Sequence, residues 1–102
     1  GILKKIEECS LLNEEMERMK NEIISLIDEN ASNWIKAAFF SDEVIEVIME
    51  GLYSKWEGNN EEGRPIDYAT ADQLKIMLKK ARHYASMSPE EAMRLVLKRM
   101  EE

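Results

Sequence analysis

Apolar side chains recur every seven residues from the first turn of this chain to residue 26. Ile2, Cys9, Met16 and Ile23 form one series; Leu12, Met19 and Leu26 form a second, with Lys5 as its polar first member. These are the a and d positions of about four heptads, and they predict one long amphipathic helix over residues 2–28. Ile6 and Ile27 widen the stripe at e, and Leu3, Leu11 and Ile24 widen it elsewhere. A stripe this broad suits a bundle helix better than a bare two-stranded coiled coil. Glu15 and Lys20 are the only g-to-e pair of opposite sign, so charge hardly specifies a parallel pairing.

Length turns that stripe into an argument about assembly. A helix over residues 2–28 is roughly 40 Å long at ~1.5 Å per residue. A compact domain of this size has a radius of gyration of about 13 Å. The shorter helices that follow then cover only part of the stripe, and the remainder is too apolar to face water. The expectation is a homodimer or another helical protein lying along the rod, with Cys9, Leu12, Met16, Met19, Ile23 and Leu26 at the interface. The alternative is that the chain folds back and buries the whole stripe itself.

Downstream, start and stop signals divide the chain into shorter helices. Ser32 is placed to cap a short helix of about 33–40, whose Trp34, Ile35, Ala37, Ala38, Phe39 and Phe40 are apolar nearly all round and predict burial. Ser41-Asp42-Glu43 predicts the start of a helix of about 42–57, with Ser41 as capping hydroxyl. Gly51 inside it costs about 1 kcal/mol relative to Ala, which suggests close approach by a neighbour or simple tolerance. Gly58 is placed to end it in the left-handed conformation. Residues 58–69 form a loop that is long for a helix–helix connection, with Trp56, Ile66 and Tyr68 predicted to pin its ends and Asn59–Gly63 as its tip. A helical hairpin of about 70–101 follows. Thr70–Gln73 and Ser88–Glu91 have capping-box spacing, and Pro89 stands at the favoured first helical position. No strand alternation occurs, so the fold class is all-α, a single-domain bundle of four to five helices over residues 1–102.

The chain carries 14 basic and 21 acidic residues, net −7. Acidity disfavours non-specific binding of phosphate backbones. The balance is uneven: residues 1–69 hold 7 basic and 16 acidic residues, residues 70–102 hold 7 and 5. Lys75, Lys79 and Arg82 form an i, i+4, i+7 stripe, flanked by Lys80 and joined by Arg94, Lys98 and Arg99 on the next helix. Nucleic-acid binding by this hairpin is therefore the alternative function, with Lys75, Lys79, Lys80, Arg82, Arg94 and Lys98 as contacts. The bland reading of the same residues is a solvated face that suits helix C-termini.

Chemistry is sparse. Cys9 and His83 are the only cysteine and histidine, which argues against a zinc site or any internal disulfide. Counted from Glu57, the acidic loop places Glu62 and Tyr68 where a calcium loop needs Gly and a bidentate acid. His83 lies near Tyr84, Ser86 and Ser88, yet no nucleophile motif accompanies it. No phosphate-binding glycine loop and no membrane-spanning run occurs. The expectation is a small non-enzymatic interaction protein of the cytoplasm, an adaptor, regulatory or assembly subunit. It has no expected cofactor, metal or small-molecule substrate, and its seven methionines favour adaptable packing.

Overall fold

The computed structural model describes the backbone of residues 2–102 and the side chains of residues 12–102. It is an all-α bundle of five α-helices: α1 (Ile2–Ile24), α2 (Asn33–Phe40), α3 (Glu43–Gly58), α4 (Ala71–Ala85) and α5 (Pro89–Glu101). A π turn, Ser25–Glu29, follows α1, and a 3₁₀ turn, Pro65–Tyr68, precedes α4. α1 packs mainly on α4, α2 mainly on α5, and α3 on the 3₁₀ turn. The radius of gyration is 15.6 Å and the extents are 54 × 29 × 21 Å. The bundle is thus longer than a sphere of the same mass, for which about 13 Å is typical.

The caps explain most boundaries. Ser32 Oγ accepts from the Ile35 N–H at 3.3 Å and starts α2. Thr70 and Gln73 close the expected box at α4, with Thr70 N–H donating to Gln73 Oε1 at 2.9 Å and Gln73 N–H to Thr70 Oγ1 at 3.1 Å. At α5 only the forward half forms: Glu91 N–H donates to Ser88 Oγ at 3.2 Å, behind Pro89.

Three boundaries differ from the sequence expectation. α3 is capped by Asp42, whose Oδ1 accepts from Val44 and Ile45 N–H at 2.9 and 3.2 Å; Ser41 instead donates backward to the Ala38 carbonyl. A carboxylate one residue nearer the helix outcompetes the hydroxyl for the two orphan amides. Gly58 ends α3 without the left-handed conformation, which falls later, on Asn60, Glu61 and Gly63 at φ 59°, 58° and 73°. The first helix does not run evenly to residue 28 but widens into the π turn. Asn30 holds that turn by donating from both its backbone N–H (3.1 Å) and its side-chain Nδ2 (2.7 Å) to the Ser25 carbonyl.

The core forms where helical spacing says it should. Met19, Ile23 and Ile27 descend one face of α1 and the π turn onto Leu74, Met77, Leu78 and Ala81 of α4; Phe39 fits edge-on against Tyr84 at 6.3 Å. In α2 the expectation of burial all round fails. Ile35, Ala38 and Phe39 are buried, whereas Trp34 and Phe40 remain exposed. This eight-residue helix packs mainly on α5 and less on α4, the π turn and α3, which together leave Trp34 and Phe40 outside the contact. Gly51 faces open space, with nothing within 4 Å of an added Cβ, so it reflects tolerance rather than close packing.

Candidate partner-binding groove

Six segments converge on one apolar groove of about 350 Å3. Its floor comes from Ile23 and Ile24 of α1, Ile27 of the π turn, Phe39 of α2 and Met77 of α4. Its walls come from Phe40, from Met49 and Tyr53 of α3, and from Pro65 and Ile66 of the 3₁₀ turn. Phe40 and Tyr53 are 42% and 47% exposed, so each aromatic ring stands half in the groove and half in water. The π turn contributes Ile27 to the floor and Asp28 to the rim; such turns recur at functional sites.

The strap between α3 and α4 is held by its own hydrogen bonds. Trp56 Nε1 donates to the Gly63 carbonyl at 3.0 Å, and Tyr68 OH donates to the Glu62 carbonyl at 2.7 Å. Arg64 and Asp67 form a two-point pair at 3.0 and 3.3 Å, and Lys20 donates to the same carboxylate at 3.3 Å. Lys20 also pairs with Glu17. The Arg64 guanidinium, with its backbone N–H and Lys20, draws the Asp67 carboxyl down to about 2 against the opposing effect of burial. Arg64 is therefore neutralised where it meets the groove. Asp28 also lines the groove and is exposed. Glu50 and Glu57 lie three residues before and four after Tyr53, on one stripe of α3, and both are exposed. None of the described ion pairs uses Asp28, Glu50 or Glu57.

A polar network that sequence spacing did not reveal joins α3, α4 and α5 with the end of α2. Tyr84 OH donates to Asp42 Oδ2 at 2.5 Å, and Lys80 Nζ reaches the same oxygen at 3.1 Å. Arg99 donates to the Ala38 carbonyl, to Ser41 Oγ and to Tyr84 OH, each at 2.7 Å. Burial pushes the Asp42 carboxyl up, but hydrogen bonds from Tyr84, Lys80 and the Ile45 N–H outweigh it and hold the group below its ordinary value. Burial and the bond to Asp42 push the Tyr84 phenol up. Among the described residues no buried side-chain polar atom lacks a partner. The signals available in sequence were the cap position of Asp42 and the place of Arg99 in the last turn of α5; neither predicts that they meet.

The expected interface residues separate into three groups. Met19 and Ile23 are 7% and 3% exposed and belong to the chain's own core, because α4 lies across α1 there; the Arg82–Glu22 pair at 2.9 Å fastens the crossing. Met16 and Leu26 are half-buried against that core. Leu12 is 45% exposed, and the Cys9 side chain lies outside the described residues. The proposed nucleic-acid contacts also divide. Lys80 and Arg82 are engaged with Asp42 and Glu22, while Lys75, Lys79, Arg94 and Lys98 are exposed.

Around His83 each hydroxyl has a structural task. Ser86 Oγ donates to the His83 carbonyl, Ser88 caps α5, and Tyr84 joins the network above. Among the described residues no group of three or more His, Cys, Asp or Glu side chains is arranged to hold a metal, and no helix is long and apolar enough to cross a membrane. No known protein family, curated protein or solved structure matches the chain.

Proposed function

We propose that this chain is a small non-enzymatic protein–protein interaction module, an adaptor, regulatory or assembly subunit, that works by taking apolar side chains of a partner into the groove between the π turn, α3 and the strap. The observation that carries this reading is the groove itself. A cavity of about 350 Å3 with apolar walls lies open beside two half-exposed aromatics, and among the described residues no buried side-chain polar atom lacks a partner. Aromatic anchors beside an apolar hollow are the usual energetic centre of an interface. The exposed Leu12 adds a second apolar contact on α1, and Cys9 suits a reducing cytoplasm. This reading ranks above nucleic-acid binding, because Lys80 and Arg82 of the basic hairpin are already paired with acids.

Affinity capture from native extract tests it. The wild-type chain is expected to retain specific proteins that a Phe40→Ser, Tyr53→Ser double variant loses, with both chains melting at similar temperatures. Retention of the same proteins by the double variant removes the groove from the argument.

A further inference from the structure

This inference rests on the partner-binding reading and names the partner's chemistry. We propose that the groove receives a basic amphipathic helix, whose apolar side chains fill the cavity while its Lys or Arg side chains meet Asp28, Glu50 and Glu57.

The charge distribution argues for a basic partner. Residues 28–62 hold nine acidic and two basic side chains, so this segment alone accounts for the chain's net charge of −7. Asp28 and Tyr53 both line the groove, and Glu50 and Glu57, exposed and three residues before and four after Tyr53, share its stripe of α3. These three carboxylates take part in none of the described ion pairs, and the base lining the groove, Arg64, is tied to Asp67. Complementary charge speeds encounter and excludes wrong partners. A second copy of this chain would bring its own seven negative charges toward the same rim, which disfavours self-docking there.

The dimensions argue for a helix. Glu50 and Glu57 are seven residues apart, about 10.5 Å along α3. Bases two turns apart on a partner helix match that interval, and the apolar residues between them face Tyr53 and the cavity. At about 350 Å3 the cavity has room for a few apolar side chains and lies near the lower bound of about 300 Å3 for small-molecule sites.

The test uses two synthetic helical peptides, one of leucine and lysine with the leucines on one face, the other with glutamate in place of each lysine. Binding is followed by fluorescence anisotropy and by the methyl resonances of Met49 and Met77, which line the groove. The leucine–lysine peptide is expected to bind at least about tenfold tighter than its acidic counterpart, more weakly as salt rises, and to shift both methyls. A D28K/E50K/E57K chain is expected to lose about tenfold in affinity, while an E14K/E15K/E101K chain of the same net charge loses far less. Equal loss in the two chains means attraction by net charge alone and overturns the proposal. Equal affinity for both peptides, with both methyls shifting, overturns the basic partner but leaves a peptide-binding groove. No methyl shift with either peptide removes the groove as a docking site altogether. Shifts produced only by raising the protein concentration, or only by benzene, overturn the proposal in favour of a second copy or a small apolar ligand.

Discussion

In one cluster of this molecule the charged groups pair with one another; around the groove, three acids enter none of the described ion pairs. Asp42, Lys80, Tyr84 and Arg99 join α3, α4 and α5 with the terminus of α2, and Asp42 also caps α3. Around the groove, Asp28, Glu50 and Glu57 pair with nothing described, and Phe40 and Tyr53 stand half in water. Both regions are built from the same kinds of residue. The difference expected is that the network gains stability from its polar groups and the groove gains little. A surface that contributes little to folding is free to serve recognition.

The sharpest way to break that comparison is to substitute in both regions and compare the losses. Asp42→Ala removes a helix cap and leaves Lys80 and Tyr84 without their acceptor; it is expected to lower unfolding free energy by about 3 kcal/mol in urea titration. E50K with E57K at the groove is expected to change it by less than about 0.5 kcal/mol. Comparable losses in the two regions would erase the distinction.

Acid probes the strap beneath the groove. The Asp67 carboxyl sits at about 2 in the fold, below its ordinary 3.8. Its contribution is complete above about pH 4 and is lost as pH falls toward 2. Because 30% of this side chain meets solvent, the loss expected is about 1 kcal/mol, smaller than the shift alone implies. Asp67→Asn should remove this part of the acid sensitivity, read as the melting temperature between pH 4 and pH 2. An unchanged acid profile would show that the strap's ion pairs contribute nothing to folding.

The face of α3 at Gly51 offers the smallest and cleanest contrast, since it belongs to neither region. Gly51→Ala meets open space and is expected to raise stability by about 0.5–1 kcal/mol through helix propensity alone. Calorimetry checks the sign; destabilisation would indicate a contact at that face.

How much was legible in the sequence follows the range of the interactions. Ser32, Thr70–Gln73 and Ser88 announce their helices because a cap acts over three residues. Leu74, Met77, Leu78, Ala81 and Tyr84 fall on the buried face of α4 because a single periodicity decides it. The π turn was visible only as a polar break after residue 27, since a long turn depends on whether Asn30 bends back to Ser25. The network and the groove were not legible at all. Tyr84 meets Asp42 across 42 residues and Arg99 meets Ala38 across 61. Charges that suit a helix C-terminus look the same whether they point to water or into a neighbour. The burial of Met19 and Ile23, expected at an interface along α1, was hidden for the same reason. The heptads locate a greasy face without saying that α4 covers its second half.

The π turn also fixes the azimuth of everything before it. One α-helical residue corresponds to about 100° of rotation, so a single deletion within Ser25–Glu29 would swing α1 by roughly that angle about its own axis. Met19 and Ile23 would turn away from α4, and Lys20 away from Asp67. The local irregularity therefore acts as the indexing pin of the amino-terminal rod: five residues decide which way twenty-three others point.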